Sequence, residues 1–250
     1  MDFYTLDQLL KLKLVEPPPI IADGVLPRGC KMIVFGDPKK GKSVFLSQMA
    51  WDIALGNKWM GFKTVKNTVL YNNYEMPLIK WKKRFEKRQK ATGLASVTNL
   101  ITGTDLMAPA LNSPAGMAQL ERDIAALKPS VVILDSIYKV FDGSMNEEEK
   151  LMPLFNFFDV LIATYDVSIV VCHHSRKQKG DSHGVYDFGA QEASGAYCLI
   201  KWPDSIIRFN ALPPEGSGKA RLTFDCRHPE DDLKPIHIQL DRNEVGFKVV

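Results

Sequence analysis

From Lys31 onward, short apolar runs alternate with longer amphipathic stretches. The runs are rich in Val, Ile, Leu and Phe, which predicts strands at Lys31–Phe35, Thr68–Asn72, Val97–Ile101, Val131–Leu134 and Ser168–Cys172. Between them apolar positions recur every three or four residues, which predicts helices at Lys42–Leu55, Pro77–Thr92, Pro114–Leu127 and Glu147–Tyr165. Strands that alternate with helices pair through crossover connections, so the expected class is α/β, a mostly parallel sheet flanked by helices. Beyond Ala196 the helical period stops. Tyr197–Trp202, Ile206–Asn210, Arg221–Cys226, Ile236–Leu240 and Gly246–Val250 read as strands, expected to form an antiparallel C-terminal extension of the same sheet.

The N-terminus follows another pattern. Phe3, Leu6, Leu9, Leu10 and Leu14 sit at near-helical spacing before Pro17-Pro18-Pro19, through which no helix continues. A short helix and stiff linker over residues 1–19 are therefore expected ahead of one domain over residues 20–250. The apolar face of that helix has two covers open to it, its own domain or a neighbouring subunit.

Composition adds exclusions. At 45% hydrophobic and 24% charged residues the chain is globular, neither disordered nor fibrous. A net charge of +3 is too small to imply a polyanionic partner, so any nucleic-acid surface has to be local. Four widely spaced cysteines without a CxxC pair point to reduced thiols. The N-terminus shows no basic segment followed by an apolar core, and no apolar run approaches ~18 residues, so a cytoplasmic protein without a membrane partner is expected.

Chemistry concentrates at three strand ends. Gly36-Asp37-Pro38-Lys39-Lys40-Gly41-Lys42-Ser43 fits G-x-x-x-x-G-K-[ST], between a predicted strand and a predicted helix. Such a match arises by chance in roughly 1% of chains this long. Glycines let the loop curl so that backbone N–H groups face phosphates, and the next helix points its positive end at them. Gly36 through Val44 are thus the candidate nucleotide contacts, with Lys42 reaching the β- and γ-phosphates of ATP and Ser43 holding Mg²⁺. Asp135 ends the buried run Val131-Val132-Ile133-Leu134, where a carboxylate completes a Mg²⁺ shell or merely caps a strand. Glu75 follows Tyr71-Asn72-Asn73-Tyr74 and precedes Met76-Pro77. It reads as a general base for an attacking water, or as an exposed acid favoured near a helix N-terminus.

Two basic stretches follow. Lys80 to Lys90 carries seven basic residues and one acid, with Trp81 and Phe85 on one helical face; the simpler reading makes the aromatics core and the basic residues solvated. Arg176, Lys177 and Lys179 lie in a polar, glycine-containing stretch suited to contacting a nucleic-acid backbone or simply solvated. The preceding Cys172-His173-His174 lacks the tight ligand spacing of a zinc site.

Taken together, GVLPRG, GDPKKGKS, YNNYEMP, VVILDS, VVCHHSRK and RLTFDCRH resemble the RecA-like P-loop ATPases, in particular the RepA-type hexameric helicases, from about Ile20 to Val250. That resemblance implies a RecA-like core, Glu75 as catalytic base, His174 as sensor of the γ-phosphate, and Arg176, Lys177 and Lys179 as contacts to single-stranded DNA. It implies self-assembly into a ring, hexameric in that group, or a filament. Related ring helicases carry Lys-x-Arg on a late strand; here Asp225-Cys226-Arg227 leaves Arg227 to act on a neighbour's nucleotide, with Asp225 placed to neutralise it. The function implied is a replicative DNA helicase. Recombination-type ATPases that coat single strands, and regulatory ATPases with protein partners, share the same core.

Overall fold

The computed structural model describes residues 3–174, 197–227, 229 and 232–250. Its elements in chain order are α1 (Leu6–Leu10), β1 (Lys31–Gly36), α2 (Lys42–Leu55), β2 (Val69–Asn73), α3 (Leu78–Thr92), β3 (Leu100–Thr104) and α4 (Pro114–Leu127). There follow β4 (Val131–Asp135), a 3₁₀ turn (Ile137–Val140), α5 (Glu148–Tyr165), β5 (Ser168–His174), α6 (Cys198–Lys201), β6 (Ser205–Ala211), β7 (Lys219–Cys226), β8 (Ile236–Asp241) and β9 (Gly246–Val249).

The strands of the first half run one to three residues past the apolar runs that announce them, and the extra residues carry the chemistry. Gly36, Asn73, Asp135 and His174 are the last residues of β1, β2, β4 and β5. All described strands join one sheet in the order β3-β2-β4-β5-β1-β6-β7-β8-β9. Parallel pairing holds from β3 through β6. Antiparallel pairing begins only at β7, so β6 belongs to the parallel sheet rather than to the extension.

Alternation along each central strand builds two cores. Met32 and Val34 of β1 face α2, with Phe45, Leu46, Met49 and Ile53; Ile33 and Phe35 face α5, with Leu154, Phe155 and Phe158. With both faces covered, the central strands read as continuous apolar runs and their ends share one edge. Phe45 anchors the α2 side against Trp59, Phe209 and Phe247, with ring centroids 5.0, 5.4 and 6.4 Å away.

Two further expectations need correction. Tyr197–Trp202 contains the helical turn α6 rather than a strand: Cys198 and Leu199 are buried, and Trp202 stacks on Phe155 at 4.3 Å. Spacing of three and four residues among these apolar groups suits a helix, and a run this short does not separate the two periods. The strand expected at Val97–Ile101 starts at Leu100, because its register follows β2, with Val69 opposite Leu100. The short N-terminal helix expected ahead of the prolines spans Leu6–Leu10, held by a capping box between Thr5 and Gln8. Its apolar positions are largely uncovered: Phe3, Leu6, Leu9, Leu10 and Leu14 are 47–86% exposed.

Gly36 shows how closely β1 and β6 approach. A Cβ placed there would meet the Phe209 carbonyl oxygen at 2.5 Å. Gly36→Ala is therefore expected to cost about 1–3 kcal/mol, the range of overpacking, read as a lower urea midpoint at unchanged m. An unchanged midpoint would mean that the strand ends are not this close.

Candidate active site

The phosphate loop lies between the end of β1 and the start of α2. Gly41 caps α2 with φ of 109°, a conformation open to glycine, and a Cβ there would press on the Phe247 ring at 3.0 Å. Lys42 and Ser43 open the helix, so their backbone N–H groups belong to its electropositive end.

Lys42 is nearly fully buried, and burial lowers its pKa. Its ammonium donates to the Gly36 carbonyl at 2.6 Å, the Asp37 carbonyl at 2.7 Å and His174 Nδ1 at 3.0 Å. An ammonium has three N–H groups, and all three are engaged. Because Nδ1 accepts, the network assigns the His174 proton to Nε2, which faces Glu75 Oε1 at 3.4 Å. Register explains the meeting, since Gly36 lies opposite His174 across β1 and β5.

Glu75 is set by its neighbours. Asn73, buried at the end of β2, accepts the Glu75 and Met76 backbone N–H groups on its side-chain oxygen. The Tyr74 N–H bonds to the Asp135 carbonyl at 2.8 Å, which carries the turn over the end of β4. Ser136 donates its hydroxyl to Glu75 Oε1 at 2.6 Å. The bond from His174 holds the Glu75 pKa below the usual carboxylate range, against partial burial, with Ser136 adding to it. One carboxylate oxygen thus takes both side-chain donors.

Asp135 is buried, and its Oδ2 accepts the Tyr71 hydroxyl at 2.6 Å. Burial and this carboxylate push the Tyr71 phenol well up, so it remains a donor. Burial likewise pushes up the Cys172 thiol beneath Lys42, which keeps it neutral. A hydroxyl at the first turn of α2, a carboxylate at a strand tip and the oxygens of a triphosphate make up the hard oxygen set that Mg²⁺ takes with only one or two protein ligands. Among the described residues no group of three or more His, Cys, Asp or Glu is placed to hold a metal ion.

A cavity of about 500 Å³ opens beside the loop, between Lys39–Gly41 and the Leu212–Lys219 turn. An ion pair from Lys40 to Glu215 bridges it.

The structure thus brings Lys42, Asp135, Glu75 and His174 to one edge. Arg227 lies elsewhere. Its neighbour Cys226 pairs with Ser205 at the amino end of β6, and its guanidinium meets Asp204 at 3.4 Å and the Lys201 and Pro203 carbonyls. Asp225 does not neutralise it and pairs with Arg208 instead, at 3.6 Å. Arg176, Lys177 and Lys179 fall outside the described residues. Asn73, Ser136 and Tyr71 were not singled out by the sequence. An Asn at a strand end just before Glu75 is a signal for the side-chain turn it makes, whereas nothing local marks Ser136 or Tyr71.

A glycine loop feeding a helix from the central strand, with carboxylates at adjacent strand tips, defines a P-loop nucleotide-binding protein of RecA-like fold. Residues 5–180 match the family model described as an AAA domain (AAA_25), and the chain belongs to that family. The family implies nucleotide binding and ATP hydrolysis. Solved structures with similar folds include a KaiC-like protein from Pyrococcus horikoshii OT3, at 12% identity over 92% of this chain and 93% of that one, TM-score 0.62. The RadB recombinase is similar at 14% identity over 89% and 91%, TM-score 0.60. The flagellar accessory protein FlaH from Methanocaldococcus jannaschii is similar at 14% over 89% and 90%, TM-score 0.58. No curated protein matches the sequence closely enough to count as a relative. Among the described residues no helix is long and apolar enough to cross a membrane.

His174 supplies the largest effect holding the Glu75 pKa down, so its loss has a sign. In His174→Ala, the Glu75 carboxyl titrates at higher pH and the acid limb of the kcat/KM profile for ATP moves upward. An acid limb that stays in place would separate Glu75 from the proton transfer or His174 from Glu75.

Proposed function

We propose that this chain is a magnesium-dependent ATP hydrolase that assembles with copies of itself and works on single-stranded DNA, as a RepA-like replicative helicase does. The observation that carries the hydrolase reading is the contact chain from the Lys42 ammonium through the His174 ring to Glu75. Lys42 would leave the Gly36 and Asp37 carbonyls for β- and γ-phosphate oxygens, a trade between acceptors at one ammonium. Release of Lys42 from His174 Nδ1 would report phosphate arrival to Glu75 through one ring. Glu75 would accept a proton from water as its oxygen bonds the γ-phosphorus and the bond to the ADP oxygen breaks. Ser43 and Asp135 would hold Mg²⁺, which when bound neutralises phosphate charge. The cavity beside the loop has room for part of the nucleoside.

Self-assembly is supported by the uncovered apolar segment from Phe3 to Val15, which suits burial against another copy. Among the described residues Arg227 bonds to Asp204, Lys201 and Pro203 on the amino side of its own sheet, which suits a residue that serves a neighbour's nucleotide rather than its own. The DNA reading rests on the resemblance of the motifs and on Arg176, Lys177 and Lys179. A second reading, an ATPase that coats single strands without unwinding, draws on the likeness in fold to the RadB recombinase.

Lys42→Ala and Glu75→Gln are each expected to lower ATP turnover by about 100-fold or more, with nucleotide binding kept in Glu75→Gln. Normal turnover in Glu75→Gln would remove the base assignment. In the same assay Arg227→Ala is expected to be inactive alone and to regain turnover when mixed with Glu75→Gln; no recovery would leave each site self-contained.

Single-stranded oligonucleotide is expected to stimulate ATP turnover, with the effect fading as salt rises. Displacement of a strand from a forked duplex decides for the helicase, and stimulation without displacement for the coating ATPase. Turnover indifferent to every polynucleotide would point to a regulatory ATPase with protein partners.

A further inference from the structure

The basic run of α3 divides by residue type. Lys80, Lys82, Lys83, Lys87 and Lys90 are exposed, as solvated cations should be, while Arg84 and Arg88 turn inward one turn apart. Arg88 pairs with Asp52 of α2 at 3.7 Å, both nearly fully buried, and donates to the Val245 carbonyl. Arg84 donates from Nη1 to the carbonyl of Ser43 at 3.0 Å, with its guanidinium 5.1 Å from the Trp81 ring centroid. Burial pulls its pKa down, while the nearby Tyr71 and Asp135 favour its charged form. A planar, weakly hydrated guanidinium suits such a half-buried stacked place better than a lysine would.

What Arg84 holds is the residue whose hydroxyl would meet Mg²⁺. Ser43 stands in the first turn of α2, where chain ends fray, and its side-chain direction depends on where its backbone sits. Arg84 comes from α3, which begins three residues after Glu75. A helix anchored to the turn of Glu75 therefore grips the metal-side serine from behind.

We propose that Arg84 is a positioning residue that fixes the Ser43 backbone, so that the Ser43 hydroxyl is set for Mg²⁺ when the metal-nucleotide complex arrives. This rests on the reading of the loop as a Mg²⁺·ATP site and goes beyond it by assigning the metal's registration to a residue outside the loop. Charge alone makes the opposite prediction: removing a cation near Asp135 would tighten Mg²⁺.

The test measures the affinity of a fluorescent ATP analogue with Mg²⁺ and with EDTA, and takes the ratio. Arg84→Ala is expected to lower that ratio roughly tenfold while leaving the EDTA affinity within about twofold, the loss corresponding to one charged hydrogen bond. Arg84→Lys, which keeps a donor on a flexible stem, is expected to recover part of it. Arg88→Ala serves as the structural control: it breaks the other grip of α3 on α2, and is expected to lower the thermal midpoint without moving the ratio. Should Arg84→Ala fail to fold, Arg84→Met, which keeps the stem over Trp81, carries the same expectation. An unchanged or higher ratio in the Arg84 variants, or an equal fall in Arg88→Ala, overturns the proposal. A wild-type protein that binds the analogue equally well with and without Mg²⁺ overturns instead the Mg²⁺·ATP reading beneath it.

Discussion

Everything at the carboxyl edge of the sheet depends on where one buried ammonium finds its three acceptors. Lys42 is almost out of water, and a charged group there must be satisfied by the protein or by a ligand. In this structure two backbone carbonyls of its own loop and a ring nitrogen from β5 satisfy it. Each of these acceptors is weaker than a phosphate oxygen, which brings full negative charge. The resting ammonium is satisfied, and the ring that accepts from it is the one whose other nitrogen faces Glu75.

The sheet makes that arrangement inevitable once its order is set. Parallel strands put Gly36, Asn73, Asp135 and His174 on a common edge, and the pairing of β1 with β5 places the loop beside His174. Helices on both faces supply the rest: α2 brings the loop its positive end, and α3 braces it. The two arginines of α3 reach α2 at its first turn and again at Asp52, where burial raises the carboxyl to about 6 despite the Arg88 charge. Burial at these pairs is costly unless geometry is kept, so they fix how α2 and α3 sit rather than adding much net stability.

Period and motif made much of this legible in advance. The glycine-lysine-serine signature located the loop, apolar runs located four of the five strands of the first half and set the third three residues early, and the acids at their tips stood out as candidates for a metal and a water. What the sequence could not give lies mostly in register. That β3 starts at Leu100 follows from β2, and that Cys198–Lys201 is helical follows from the place where Trp202 stacks on Phe155. Arg84 and Arg88 were hidden among five lysines, because a run of like charge carries no mark of which members turn inward. Asp225 stands two residues from Arg227 on an extended strand; the pairing across β6 and β7 directs it to Arg208. Strand neighbours across a sheet, not chain neighbours, decide such ion pairs.

A crystal structure with Mg²⁺ and a non-hydrolysable ATP analogue tests the central claim most directly. The account predicts that Lys42 Nζ leaves the Gly36 and Asp37 carbonyls for phosphate oxygens, that its bond to His174 Nδ1 opens, and that Glu75 faces the γ-phosphate. A triphosphate seated elsewhere, with Lys42 still bound to those carbonyls and to His174, would contradict it.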